Sequence, residues 1–254
     1  MCSLEKIQGI FSDAMREVPK GDIGVAVSGG GDSLALLLLS VDWARENGRC
    51  IKSATINHGL RPESQSECEY VNKIATDLLI QHSTLYWSKK FTGNLQMAAR
   101  NARYDLLKNW AACEKLSVVL LGHNHDDNAE TIFGRLSRGS GIDGLTGMTR
   151  SQNLNNLEIF RPLLEISRIE LRRFLTKKSI NWIDEPSNLD ESFQRIKIRK
   201  LLPTLSQVGL TPKKLISLAE HMNRAKTALN SEVYSFSENY VKQKKWGDLE
   251  IERE

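Results

Sequence analysis

Apolar and polar positions fall into two alternating rhythms along the first two thirds of this chain. Short apolar runs at 23–27, 50–56, 83–87, 117–121 and 157–161 read as strands, with Ser-Val-Val-Leu-Leu at 117–121 the most hydrophobic. Between them lie longer stretches with apolar residues three and four apart, which predict helices over 33–46, 64–80, 94–116 and 128–137. The 64–80 stretch shows the spacing through Val71, Ile74, Leu78 and Leu79. The 33–46 stretch is apolar on most faces, as expected of a helix covered on several sides. A leading helix at 4–18 stops at Pro19-Lys20-Gly21-Asp22, and 167–178 reads as an amphipathic basic helix. Strands and helices alternating about every 30 residues imply right-handed crossovers. The fold class expected is α/β: an open parallel five-stranded sheet with helices on both faces, followed by a small helical module. After residue 179 come a polar turn (181–188), a basic segment (193–205) and a helical run (215–245) without further strand pattern. The expected division is therefore 1–205 and 206–254, with the boundary near 203–211.

Open parallel sheets collect ligands at the C-terminal ends of their strands. Three motifs fall there. After the first strand comes Ser28-Gly29-Gly30-Gly31-Asp32-Ser33, followed at once by the most buried helix. Glycines let the backbone approach an anion closely, and the N–H groups of the turn and helix N-terminus point at it. Ser28 and Ser33 add hydroxyls. Asp32 repels phosphate unless a cation such as Mg²⁺ lies between them. No lysine follows the last glycine, as a Walker A loop requires, and no third glycine has dinucleotide-fold spacing. An ordinary Gly-rich strand-to-helix turn is the plain alternative. The other two motifs are Asn57-His58-Gly59-Leu60-Arg61-Pro62 after the second strand and Gly122-His123-Asn124-His125-Asp126-Asp127 after the fourth.

Composition narrows the picture a little. With 254 residues, 40% apolar and 26% charged, the chain has the make-up of an ordinary globular protein. No apolar run approaches membrane-spanning length and no secretory signal is visible, so no membrane association and a cytoplasmic location are expected. Cys2, Cys50, Cys68 and Cys113 form no CxxC pair and read as thiols of a reducing compartment. The net charge of +4 is uneven: residues 195–254 hold 12 Lys and Arg against 7 Asp and Glu, leaving −1 for the rest. A basic C-terminal end fits contact with a polyanion, although lysine-rich helix surfaces serve solubility as well.

Several further constellations admit two readings each. The segment 123–131 bunches two imidazoles and three carboxylates, so that Asp126 or Asp127 joins Asp32 around a cation, with Glu130 one turn further on. Its His-x-His-x-Asp order also resembles the first ligands of binuclear zinc hydrolases, with Asn128 where another His is expected; a purely structural polar turn is the third reading. Arg100 and Arg103, with Tyr104, share a helix face that reaches phosphate or is simply solvated. Arg195, Lys197, Arg199 and Lys200 suit a tRNA backbone or an α-phosphate, or a solubilising surface. The four glycines within 139–147 make a mobile substrate loop or a plain connector.

The Ser-Gly-Gly-Gly-Asp-Ser loop resembles the pyrophosphate-binding loop of the N-type ATP pyrophosphatases, which split ATP between its α and β phosphates. Within that superfamily the chain is most similar to the tRNA(Ile)-lysidine synthetase family, from about residue 21 to 203. The likeness rests on the loop, on 57–62, on Ala99-Arg100-Asn101-Ala102-Arg103-Tyr104, and on Gly122-His123 with Asp126-Asp127 and Glu130-Thr131. It also includes 139–148, Arg161-Pro162-Leu163, and 184–188 followed by Arg195 and Arg199. The resemblance implies that ATP adenylates O2 of cytidine 34 in a tRNA(Ile) with a CAU anticodon, and that free L-lysine then attacks C2 and expels AMP. By match, Ser28, Gly29, Gly30, Gly31, Asp32 and Ser33 bind the nucleotide, joined by Ile56, His58, Arg100 and Gly122. Asp32 and Asp127 would hold Mg²⁺. Asp127 and Glu130 would receive the lysine ammonium, while His123, Arg103 and Arg195 or Arg199 would serve the adenylate. Asp32, Asp127, His123, Arg103 and Arg195 are thus the implied catalytic set, and a homodimer is the expected assembly.

The chain departs from the family pattern in three places. Asn57 stands where an Asp often precedes His-Gly-Leu-Arg, and Ile196-Lys197 stands where Asn-Arg is usual. The chain also stops soon after its first helical module, whereas many members carry further tRNA-binding domains, so a short-form or truncated enzyme with a weakened tRNA grip is expected. Two rival functions are a tRNA thiolase with the same loop and a non-enzymatic nucleotide-binding module. No two cysteines lie closer than Cys50 and Cys68, 18 residues apart, which speaks against the thiolase. An intact Asp32, Asp127 and Glu130 speak against the binding module.

Overall fold

All five expected strands form, and they form one sheet. They are β1 (Ile23–Ala26), β2 (Ile51–Asn57), β3 (Gln81–Tyr86), β4 (Val118–Leu120) and β6 (Leu157–Phe160), joined by β5 (Ser151–Leu154). The order is β3-β2-β1-β4-β6-β5. Every pairing is parallel except that of β5 with β6, where Ser151 faces Phe160 and Leu154 faces Leu157. The five-stranded expectation is corrected to six. Strand β5, Ser-Gln-Asn-Leu, is a polar edge strand that presents no apolar signal. The computed structural model describes residues 4–59, 62–87, 95–154, 156–184, 194–244 and 246–251.

Helices α1 (Leu4–Met15), α2 (Gly31–Asn47), α3 (Ser64–Asp77), α4 (Leu95–Cys113), α5 (His125–Leu136), α6 (Ile142–Leu145), α7 (Arg168–Lys177), α8 (Gln194–Gln207) and α9 (Pro212–Tyr240) complete the framework. A two-stranded hairpin, β7 (Val241–Gln243) with β8 (Leu249–Ile251), replaces the end of the helical run expected to reach 245. Helix α8 continues through Pro203, near the expected domain boundary.

Strand alternation sorts the sheet's side chains between two cores. Val118 and Leu120 join Ile23, Val25, Ile51 and Phe160 beneath buried residues of α1, α2, α3 and α7. Val119 and Leu121 point the other way, to Leu107, Trp110 and Ala111 of α4. Helix α2 is buried without a break from Leu34 to Val41, which explains its lack of a polar face. Each such Leu withdrawn from water contributes about 2 kcal/mol.

The chain divides into two compact units, Met1–Asp127 with Thr149–Asp190, and Asn128–Met148 with Glu191–Glu254. The first holds the sheet. The second has its own small core of Ala129, Ile132, Ile198, Leu202, Leu215 and Ala219. In that core Ile198 and Leu202 of α8 meet Ala129 and Ile132 of α5 and Leu215 and Ala219 of α9.

Candidate active site

Strands β1 and β4 are neighbours, and the sheet runs outward from them in both directions. That switch point is where open sheets bind ligands. The turn after β1 enters α2 with Gly30 as N-cap, at φ −70° and ψ 157°. Gly29 has a φ of +86°, in the left-handed region that favours glycine, and a Cβ there would come within 2.8 Å of Ile183 Cδ1. Ile183 also donates its N–H to the Gly29 carbonyl at 3.0 Å. Ser33 Oγ donates to the Gly30 carbonyl at 2.9 Å and accepts from Ser28 N–H at 3.1 Å, so the hydroxyl holds the loop closed. Among the described residues no acceptor meets the N–H groups of Gly30, Gly31, Asp32 and Ser33. These are the orphan donors of a helix N-terminus, and an anion satisfies them. Gly122 closes the floor: a Cβ there would stand 3.2 Å from the Ser33 backbone.

The Gly122–Asp127 segment turns into α5 through a reciprocal cap. Asp127 N–H donates to Asn124 Oδ1 at 2.9 Å, and Asn124 N–H donates to Asp127 Oδ2 at 3.1 Å. This pair starts α5 three residues earlier than the apolar pattern indicates. Asp126 turns to the neighbouring helix, where its Oδ2 accepts from Arg168 N–H at 2.8 Å. The Arg168 side chain then reaches both candidate metal carboxylates: Nη2 donates to Asp127 Oδ1 at 2.7 Å and Nε to Asp32 Oδ2 at 3.4 Å. Burial first, and then the charge of Asp127, push the Asp32 carboxyl above its ordinary 3.8; Arg168 pulls it down without prevailing. The Asn124 amide faces Asp32 as well, yet its buried Nδ2 completes no hydrogen bond.

His123 is fixed by a second arginine. Arg161 Nε donates to His123 Nδ1 at 3.1 Å, and its other nitrogens donate to the Thr149 carbonyl and Gln152 Oε1, each at 2.8 Å. A guanidinium can only donate, so Nδ1 accepts and the ring proton lies on Nε2. Burial lowers the pKa of Arg161, and Tyr104 of α4 opposes that shift. Arg100 lies over the Tyr104 ring at 5.2 Å, and Arg103 lies on the exposed side of the same helix. At the end of β2, Asn57 donates to Gln65 Oε1 at 3.2 Å and accepts from Gly59 N–H at 2.8 Å. The amide serves both bonds at once, where an ionised carboxylate is acceptor-only. His58 packs edge-on against Trp87 at 5.7 Å, and Ile56 is half-buried on β2. Arg61 and residues 185–193, which include Ser187 and Asn188, lie outside the described residues.

In the second unit, Glu130 is buried with both oxygens engaged. Arg195 Nε donates to Oε2 and Arg199 Nε to Oε1, each at 2.8 Å. Burial raises the Glu130 pKa, but the hydrogen bonds and charges of Arg199 and Arg195 outweigh it and hold the carboxyl below its ordinary 4.5. One turn apart on α8, the two arginines flank Ile196 and Ile198, which enter the core. The Ile196 departure from the family pattern is thus a packing residue. The glycine-rich segment is strapped to α5. Arg135 Nη1 donates to the Gly144 and Gly147 carbonyls at 2.9 and 3.1 Å, and Met148 N–H donates to Asn128 Oδ1 at 2.8 Å.

Residues 3–205 match the family described as PP-loop domain. The chain belongs to the PP-loop domain family. Among curated proteins it is 42% identical over 210 residues to a tRNA(Ile)-lysidine synthase of Wolbachia pipientis wMel, covering 82% of this chain and 49% of that one. It is 43% identical to those of Ruegeria pomeroyi, covering 84% and 51%, and Rhodopseudomonas palustris, covering 82% and 61%. The chain therefore spans about half to three fifths of the length of these relatives. Among solved structures, the U34-tRNA thiolase NcsA of Methanococcus maripaludis superposes with a TM-score of 0.74 at 15% identity, covering 86% of this chain and 78% of that one. This likeness concerns the fold.

In the first unit, the donor set decides what cation fits. Asp32 and Asp127 offer hard carboxylate oxygens, and no group of three metal-ligating side chains occurs among the described residues. Such a pair suits Mg²⁺, which takes one or two carboxylates and completes its shell with phosphate oxygens and water. It does not suit the zinc reading: His123 Nδ1 is taken by Arg161, and Asn128 is spent on Met148. The residues missed by sequence reasoning are Arg168 and the Trp182-Ile183 brace against Gly31 and Gly29. Arg168 follows a helix-capping Ser167, and that cap is its only sequence signal.

Proposed function

We propose that this chain carries the ATP-dependent ligation of L-lysine to C2 of cytidine 34 in a tRNA(Ile) with a CAU anticodon, giving lysidine, AMP and pyrophosphate. The observation that carries the reading is 42–43% identity to curated tRNA(Ile)-lysidine synthases along more than four fifths of this chain. The site's chemistry agrees with it. The β and γ phosphates of ATP sit on the free N–H groups of the glycine turn, which holds the group that leaves. Asp32 and Asp127 would hold Mg²⁺, which would supply charge screening for the polyphosphate. O2 of cytidine attacks the α phosphorus, the bond to the bridging oxygen breaks, and pyrophosphate departs. The phosphorylated oxygen is then a good leaving group. The lysine side-chain ammonium gives a proton to solvent, its free amine attacks C2, and AMP leaves with the bonding electrons.

His123 donates from Nε2 to a nonbridging phosphate oxygen, in the orientation Arg161 imposes. Asp127 faces the incoming ammonium. Within its own unit Glu130 holds the Arg195 and Arg199 guanidinium groups in place, and Arg103 is a further cation for the adenylate. The work belongs in the cytoplasm, where tRNA is modified.

The test is pyrophosphate release from ATP with Mg²⁺ and unmodified tRNA(Ile), with and without lysine. Adenylated tRNA should accumulate without lysine, and AMP should be released with it. Turnover that ignores lysine but needs a sulfur donor would overturn the proposal in favour of thiolation.

A further inference from the structure

We infer that Arg168 is the resident counter-cation of the Asp32–Asp127 pair, and that a divalent cation gains the pair only by displacing its guanidinium. The inference rests on the reading that Mg²⁺ is held by these two carboxylates.

The geometry gives Arg168 two separable attachments. Its backbone N–H is tied to Asp126 Oδ2 at 2.8 Å, and the Ser167–Glu170 capping box fixes the first turn of α7. The start of the helix is therefore anchored by groups other than the guanidinium. The side chain is held to Asp127 and Asp32 at 2.7 and 3.4 Å and is 17% exposed. It can leave its carboxylates without unpinning the helix.

Electrostatics makes guanidinium and metal exclusive. Asp127 Oδ1 accepts from Arg168 Nη2, and Oδ2 accepts from Asn124 N–H. A carboxylate oxygen can accept from more than one partner, so a donor on it does not by itself bar a ligand. A Mg²⁺ bound at about 2.1 Å from that oxygen, however, would lie within a few ångströms of the guanidinium. Like charges that close in a half-buried site repel, so each weakens the hold of the other on the pair. The two carboxylates share this one guanidinium, and a divalent cation on the same oxygens competes with it for their charge. Asn124 Nδ2, buried and without a partner beside Asp32, is a further donor waiting for an oxygen ligand.

The nucleotide resolves the competition. Its phosphates bring charge that the released guanidinium can pair with bidentately. Arg168 thus makes metal binding depend on ATP, and keeps bare Mg²⁺ from occupying the pair.

The experiment is an EPR titration of Mn²⁺ against the full chain without nucleotide, comparing wild type, Arg168→Met and Asp32→Asn. Arg168→Met should bind Mn²⁺ about tenfold more tightly than wild type, and Asp32→Asn should lose the site. An affinity unchanged or weakened in Arg168→Met, with binding still lost in Asp32→Asn, overturns the inference and leaves the metal reading standing. Mn²⁺ binding untouched by Asp32→Asn overturns the metal reading, and this inference with it. Should Arg168→Met fail to fold, Arg168→Gln removes the charge and keeps a donor, and the same tightening is expected.

Discussion

Two buried carboxylates, Asp32 and Glu130, both meet arginine and end with opposite properties. Asp32 shares one guanidinium with Asp127, and its carboxyl is pushed up by burial and by that second carboxylate. Glu130 meets two guanidinium groups, and they hold its carboxyl down in spite of burial. The first group sets two carboxylates against one guanidinium, and the second sets one carboxylate against two. The first attracts a cation, and the second presents positive charge to an anion. Carboxylates that look alike in sequence are separated by how many arginines the fold delivers to each.

The sharpest way to break this comparison is Asp32→Asn. If the half-neutralised pair holds the cation, pyrophosphate release should fall at least about a hundredfold. Folding stability should hold or rise. A carboxyl whose folded pKa is raised gives stability that is complete below its unfolded value and is lost as pH rises through the folded one. Its charge at neutral pH is therefore a cost that the variant removes, and urea unfolding at pH 7 checks the sign. Glu130→Gln should do the reverse. It leaves two guanidinium groups short of a buried partner and costs about 2 kcal/mol of stability in urea melts. Because the Glu130 pKa is lowered, its contribution is present above the ordinary 4.5 and is lost as pH falls through the lower folded value. The variant should flatten that acid limb.

A third group extends the contrast to the unit that holds Asp32. Burial lowers the His82 pKa from 6.5 to about 4, and its Nδ1 lies 2.9 Å from Ser53 Oγ. The unfolded chain takes the proton first, so stability should decline as pH drops from 6.5 toward 4, approaching about 1.4 kcal/mol per pH unit. His82→Gln should abolish that decline and leave the one below 4.5 in place. The smallest effect expected is that of Ile183→Ala. Loss of the side chain against Gly29 should loosen the turn and raise the KM for ATP about threefold with little change in kcat.

Much of this was legible from residue order. The five parallel strands and the helices between them follow from period, and the switch-point location of Gly29 and Gly122 follows from counting them. Strand β5 escaped because Ser151, Gln152 and Asn153 carry no apolar alternation at an exposed edge. The true start of α5 escaped because it is set by the reciprocal Asn124–Asp127 cap, among residues that read as a charged turn. Arg168 is the plainest case. In sequence it is one of several cations on a basic amphipathic helix. Its chemistry exists only because folding brings it to Asp127, 41 residues away, and Asp32, 136 residues away. Likewise the segment 123–131 offers three carboxylates of equal standing, and tertiary structure gives them three fates: Asp126 to a helix N-terminus, Asp127 to the Asp32 pair, Glu130 to two arginines.

The most direct measurement is a carboxyl ¹³C NMR titration of the full chain in metal-free buffer, with Asp32 and Glu130 assigned through Asp32→Asn and Glu130→Gln. Asp32 should titrate above 3.8 and Glu130 below 4.5, shifted in opposite directions from their ordinary values. Both shifted the same way, or Glu130 at or above 4.5, would contradict the account.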